Sequence, residues 1–420
     1  MGTIELKLDA SKHIIDICAE LQNAGFETYV VGGAVRDFLI NKVPKDYDLS
    51  TSATPDEIRR VFGRKRARLI GRRFRLVHLR HGREIIEIST FRKIPSKTAQ
   101  NVKIKHKLDN APDNMIFCDN EFGTSEEDAW RRDFTINALF YDPVARKLVD
   151  HTGQGVDDVK NRLVRAIGNP AVRFEEDPVR ILRALKFAGQ CDMTFEAETE
   201  KALIKAVPLI RLAAPSRLTL ELEKILKNPY SHKILSLFRK YGFLEYFLPE
   251  LDKQWDSPAG EEIIKFLEIR NSRIATGKYR DSISVGLVLT MLPLIEKTFG
   301  RLDSGAKWFA NKSRAEFSEE VYYMIKDFYA PHALIKALLF SAQRTFVLLP
   351  ELLHEDHIKK ASNKPGYPHA REVMLVINQV RGLNKSLENI LPKKEEVATA
   401  QNHKKRPRRR RYKNTHKQKE

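Results

Sequence analysis

The feature that most narrows what this chain can fold into is a pair of adjacent glycines, Gly32 and Gly33, where the periodicity of the sequence changes. Before them Glu-Thr-Tyr-Val-Val reads as a strand. After them Ala34 to Ile40 has helical spacing, so the glycines carry the chain from a strand directly into a helix. Glycine accepts the backbone angles of such a turn, and a helix start offers free N–H groups that favour an anion. Shortly afterwards Asp46 and Asp48 flank Tyr47 in Asp-Tyr-Asp-Leu-Ser, read as a short strand. Residues two apart in a strand share a face, so both carboxylates can converge on one point. Such a pair repels, and a divalent cation resolves the repulsion, with Mg²⁺ the hard, oxygen-seeking candidate. An isolated D-x-D is most often a surface turn. The Gly32–Gly33 turn with Arg36 beside it instead places a phosphate cradle next to a cation site. No G-x-x-x-x-G-K-[ST] occurs, so this is not a P-loop.

Around these residues the pattern continues as a mixed sheet. A helix is expected between Ser11 and Gly25, and a second after Thr54 with Pro55 in its first turn. Arg73–Arg80 and Arg83–Arg92 alternate as two antiparallel strands around a turn at His81–Gly82. Lys93 to Met115 is polar, basic and aperiodic and reads as a mobile loop, which in a compact domain is either functional or plain disorder. Thr124 with Glu127 forms a capping-box pattern, and Phe134 to Asp142 resumes as a strand. The expected head is thus a small mixed sheet with helices against one face. From about Val156 onward helical patterns dominate.

Further candidates sit along this frame. Glu87, in an alternating strand, and Asp133, after Arg131-Arg132, are each a plausible third carboxylate. Arg131 and Arg132 suit a triphosphate or ribose, or else form a solvated basic pair at a helix end. Asp177 and Arg180, three apart on a helix face, can read a base edge, since a carboxylate accepts from an amino group while an arginine donates to a ring nitrogen. Helix capping with an i,i+3 ion pair explains the same two residues.

The charge points the same way. The 420 residues carry a formal +19 with a pI near 9.6, which makes a polyanion the leading partner and an anionic membrane surface the competitor. No long apolar run suggests a membrane span. Residues 401–420 hold ten Lys/Arg against one Glu, about +9 of the +19, and such a block is expected to be disordered when free. Cys18, Cys118 and Cys191 are scattered without metal-ligand spacing and read as reduced, cytoplasmic thiols.

Gly-Gly-Ala-Val-Arg-Asp, Asp-Tyr-Asp-Leu-Ser-Thr, Glu-Ile-Ile-Glu-Ile-Ser-Thr-Phe-Arg, the run from Glu126 to Pro143 and that from Phe174 to Ala188 together resemble the bacterial class II tRNA nucleotidyltransferase and poly(A) polymerase family, over about residues 25–230. The resemblance implies an α+β head of the DNA polymerase β type, an all-α neck and body, and a basic tail. The divisions would be 1–150, 151–230, 231–400 and 401–420. It implies that Asp46 and Asp48 bind metal, two Mg²⁺ per site, and that Asp133 is the further acid. Asp177 and Arg180 would read the incoming base without a template, with Gly32, Gly33, Arg36, Arg131 and Arg132 around the nucleotide. Leu69–Leu79 and the Arg-rich end resemble the poly(A) polymerase branch, which implies addition of AMP from ATP to RNA 3′ ends. Arg217-Leu218-Thr219-Leu220-Glu221 lacks the phenylalanine usual there, and CCA addition to tRNA is the alternative. An RNA-binding protein without catalysis is the alternative of another class.

Overall fold

The computed structural model describes residues 2–6, 8–44, 46–70, 76–93, 121–304, 308–309, 312–384 and 386–393. The expected loop from Lys93 to Met115 (beyond Lys93 itself), Gly71–Arg75 of the branch-like segment, Cys118 and the tail 401–420 lie outside the described residues. The chain divides into two compact units, Met1–Asp252 and Lys253–Glu420.

The first unit is built on an eight-stranded sheet: β1 (Gly2–Glu5), β2 (Thr28–Val31), β3 (Asp48–Thr51), β4 (Ala67–Ile70), β5 (Leu76–His81), β6 (Glu84–Thr90), β7 (Leu139–Asp142) and β8 (Lys147–Asp150), in the order β1-β8-β7-β2-β3-β6-β5-β4. Within this sheet only β3 and β6 run parallel and every other neighbouring pair is antiparallel; a separate parallel pair joins Leu163–Val164 to Thr194–Phe195. The β3–β6 pair requires a crossover, which holds α3 (Pro55–Phe62) and the β4–β5 hairpin. Helices α1 (Lys12–Asn23) and α2 (Gly33–Leu39) flank β2, and α4 (Ser125–Arg131) precedes β7. Thr54 and Glu57 close a reciprocal capping box at the start of α3, and Thr124 and Glu127 do the same for α4, as the sequence predicts. Val31 packs with Phe91, Ala129, Ala138, Phe140 and Ile167, so α4 lies on the sheet face that Val31 shares with its register partner Asp48.

Helices then take over: α5 (Gly155–Lys160), α6 (Pro170–Glu176), α7 (Val179–Cys191), α8 (Ala197–Ala206), α9 (Pro215–Lys227), α10 (Ser231–Lys240), α11 (Leu244–Phe247) and α12 (Pro249–Asp252). The second unit is helical among its described residues: α13 (Pro258–Ala275), α14 (Ile283–Phe299), α15 (Arg314–Phe328), α16 (Lys336–Leu348), α17 (Glu355–Ala361), α18 (Tyr367–Arg381) and α19 (Leu387–Ile390). Helix α14 is apolar nearly all round and is its central element, with Val285, Leu289 and Leu292 fully buried. Among the described residues no helix is long and apolar enough to cross a membrane, and Cys18 and Cys191 are buried free thiols.

Three local expectations change. Asp46 lies before β3, which starts only at Asp48. The segment from Phe134 does not begin as a strand: a 3₁₀ turn at Thr135–Asn137 precedes β7, because the Asn137 side chain and carbonyl are taken by two arginines. Asp177 and Arg180 do not share one helix. Asp177 is extended (φ −149°, ψ 97°) in the break between α6 and α7, where Pro178 disfavours a helical predecessor.

Candidate active site

Gly32 ends β2 with φ +70°, a conformation that favours glycine. Arg132 Nη1 lies against this turn, 3.5 Å from where a Cβ would stand. Helix α2 follows at once, its first intrahelical bond running from Arg36 N to Gly32 O at 3.2 Å, which leaves the amides of the turn ahead of it. The Gly–Gly turn is therefore formed as predicted, with Arg132 as its charged neighbour.

The expected partner Arg36 also lies at the turn, its Nη2 3.6 Å from where a Gly33 Cβ would stand. Its side chain is 3% exposed and fully engaged: Nε and Nη2 donate to Asp37 Oδ1, Nη1 donates to Asn137 Oδ1, and the guanidinium lies 5.2 Å from the Phe187 ring centroid. Arg36 thus fastens α2 to the turn before β7. Arg132 donates to both the Asp128 carboxylate and the Asn137 carbonyl, and stacks 4.9 Å over Phe140. Arg131 pairs with Asp128 at 3.7 Å.

The acids assemble on the same face. In the parallel pairing of β3 with β6, Asp48 stands opposite Glu87, and in the next pairing Glu87 stands opposite His78. His78 Nε2 lies 3.3 Å from a Glu87 carboxylate oxygen. Asp46, Asp48 and Glu87 are all exposed. Asp48 keeps solvent access, yet protein crowding around its carboxyl pushes its pKa up; Glu87 pushes it further, Arg132 opposes this, and Asp46 adds again. Lys224 of α9 gives a weaker opposing pull. Like-charged carboxylates in register raise one another's pKa unless a cation joins them. Among the described residues no three such side chains already close around a single point. The donor set, carboxylate oxygens only and partly uncompensated, fits a hard divalent ion.

Asp133 is not part of that row of acids. One oxygen accepts from Arg180 Nε at 3.0 Å and the other lies 2.6 Å from Arg183 Nε. Burial would raise its pKa, but Arg183 and Arg180 override burial and hold it below the usual carboxylate range. Its neighbours form a dense network. Arg180 also donates to Glu176 and to the Arg173 carbonyl; Arg173 pairs with Glu176 and donates to the carbonyls of Arg131 and Arg132. Helices α6 and α7 are thereby tied to the end of α4. The expected Asp177–Arg180 pair is replaced: both Asp177 oxygens accept from Arg217 of α9, at 2.8 and 2.7 Å. On the same face of α9, Glu221 meets Lys186 at 2.5 Å and Lys224 at 3.0 Å. These two lysines override burial and push its carboxyl down to about 2.

Sequence reasoning missed Asn137, Arg173, Arg183 and Lys186. The signal available for Asn137 was a lone amide inside an apolar run, for which a buried partner is the physical expectation.

Comparison with known proteins places these elements in context. Residues 28–165 match the family model described as the poly A polymerase head domain, and residues 192–254 match the one described as the probable RNA and SrmB-binding site of polymerase A. The chain is 39% identical to poly(A) polymerase I of Haemophilus influenzae, over 64% of this chain and 59% of the relative. It is 36% identical to poly(A) polymerase I of Escherichia coli O157:H7, over 69% and 62%. To the CCA-adding enzyme of a Geobacillus species it is 34% identical, over 57% and 55%. The chain thus spans roughly three fifths of the length of the poly(A) polymerases it matches. The crystal structure of a Bacillus stearothermophilus CCA-adding enzyme in complex with CTP superposes with a TM-score of 0.61 at 21% identity, covering 94% of this chain and 88% of that one, and shares the fold.

Proposed function

We propose, from the premise that this chain belongs to the class II tRNA nucleotidyltransferase and poly(A) polymerase family, that it adds AMP from ATP to RNA 3′ ends without a template. The RNA 3′-hydroxyl attacks the α-phosphate and pyrophosphate leaves. The observation that carries this reading is the pairing of Asp48 with Glu87 in register, beside Asp46 and next to the Gly32 turn that receives Arg132.

Each group has a role under this reading. Asp46, Asp48 and Glu87 hold Mg²⁺, two ions being the expected number, in place of the Asp46, Asp48 and Asp133 set implied by the resemblance. Bound there, Mg²⁺ supplies charge that activates the attacking hydroxyl and neutralises the triphosphate. The amides at Gly32 and Gly33 and the Arg132 guanidinium receive phosphate oxygens. Arg36 positions that turn through Asn137, and Arg131 stands at its rim. Asp133 is a positioning residue, fixing Arg180 and Arg183. Asp177 and Arg180 remain the base-reading candidates. Among the described residues Arg180 Nη2 makes no hydrogen bond, which leaves one donor edge for a ring nitrogen. The proposed functional division is a catalytic head, 1–150, a base-reading neck, 151–230, an RNA-binding body, 231–400, and a basic tail, 401–420.

ATP-only tailing is favoured over CCA addition because the poly(A) polymerases combine 36–39% identity with 64–69% of this chain, whereas CCA-adding enzymes match at 34–36% over 56–57% or at 29% over 74%. The deciding experiment supplies labelled ATP or CTP to tRNA lacking its end and to an unstructured RNA. Long ATP-only tails on the unstructured RNA are expected. Bounded C-then-A addition confined to tRNA would overturn the reading in favour of CCA addition, and no Mg²⁺-dependent pyrophosphate release with any RNA would leave a binding protein.

A further inference from the structure

The second unit contains a groove of about 450 Å³ lined by Arg314, Ser318, Arg344, Val347, Leu348, Lys364 and Pro365. It lies between α15, α16 and the turn into α18, beyond the last residue matched by either family model. Three cations line it and one carboxylate answers them. Glu351 accepts from Lys364 at 2.8 and 2.9 Å and also pairs with Arg314. These contacts override burial and keep Glu351 ionised to lower pH than usual. Arg344 is exposed and, among the described residues, makes no hydrogen bond or ion pair. The groove therefore has a surplus of positive charge with a donor-rich guanidinium already facing solvent.

Its shape is built by the backbone. Gly366 has φ +95°, and a Cβ there would come within 3.1 Å of Arg344 Cβ and 3.6 Å of Leu348 Cδ1. Only glycine lets the turn approach α16 this closely, which keeps Lys364 and Pro365 beside Arg344. Val347, Leu348 and Pro365 add an apolar wall next to the cations.

We propose that this groove binds one nucleotide of single-stranded RNA, a backbone phosphate on Arg344 and Lys364 and the base or ribose against Val347, Leu348 and Pro365. The proposal rests on RNA being the polymer this chain acts on. A surplus of cations next to an apolar wall matches a phosphodiester next to a base, and the chain's +19 favours a polyanion. An acidic peptide is the rival occupant.

The test is fluorescence anisotropy of the full chain with a labelled unstructured RNA, across a salt series, on an Asp48→Ala background that prevents extension. Arg344→Glu should weaken binding by about fivefold near 0.1 M salt and flatten the slope of log K against log salt by about 0.7, the value for one phosphate on a single strand. Arg344→Lys should keep most of the affinity, and the melting temperature should not move in either variant. Unchanged affinity and slope in Arg344→Glu overturn the proposal, as does polyglutamate binding that depends on Arg344 while RNA binding does not. Loss of Arg344 dependence with AMP incorporation intact removes only the groove. Arg344-dependent RNA binding with no incorporation by the chain bearing Asp48 removes only the polymerase reading.

Discussion

Two clusters of acids in the first unit use the same residue types in opposite ways. On the β3–β6 pair, Asp48 and Glu87 stand in register with Asp46 close by, all exposed, with Arg132, His78 and Lys224 compensating them only in part. At the junction of α4, α6 and α7, Asp133 and Glu176 are saturated by Arg173, Arg180 and Arg183. The first arrangement costs energy until a cation arrives; the second has already been neutralised by the fold. On the proposed reading, an acid in the shared motifs is therefore not by its presence a metal ligand. What separates the two cases is whether arginines have reached it first.

The sharpest way to break this contrast is to remove one acid from each side. Asp48→Ala should lower nucleotide incorporation by on the order of 10³-fold, the several kcal/mol that metal-borne charge provides, while the melting curve stays in place. Incorporation within tenfold of the parent chain would end the assignment of the β3–β6 acids.

Asp133→Ala should do the reverse. It leaves buried Arg180 and half-exposed Arg183 without their shared carboxylate, and the loss should approach the lower end of the about 3–5 kcal/mol typical of breaking a buried pair. Activity per folded molecule should fall far less than in Asp48→Ala. A stable Asp133→Ala protein with no turnover would instead return Asp133 to the metal site.

The smallest effect is in pH dependence. Asp133 and Glu221 both have folded-state pKa values below their unfolded ones, Glu221 at about 2 against 4.5. Their contribution is therefore fully present above the unfolded values and is lost as pH falls through about 4.5 towards 2. Acid titration of the melting temperature should show this loss, and Glu221→Gln should flatten it. A titration with the same slope in both proteins would mean that other carboxylates carry it.

Much of the head was legible because its signals are local. The capping boxes at Thr54 and Thr124, the turn at His81–Gly82 and the strand–Gly–Gly–helix passage each lie within a few residues, where propensity and hydrogen bonding act. Asp46, Asp48 and Glu87 were legible as candidates for the same reason. The bond from Arg36 to Asn137 was out of reach because the two lie 101 residues apart. Arg217 on Asp177 and Arg183 on Asp133 were likewise out of reach of any spacing argument.

The sequence alone determined the head's helices, the strands around the glycine turn and the His81–Gly82 hairpin, and the presence of clustered acids, because each follows from short-range backbone and side-chain chemistry, whereas β1, β4 and β8 carried no signal that was read. Only the tertiary structure decided which acid joins which cation. Strand register put Glu87 beside Asp48, and helix packing delivered Arg180 and Arg183 to Asp133 before anything else could bind there. Electrostatic role depends on neighbours in space, and in this chain those neighbours come from segments far apart along it.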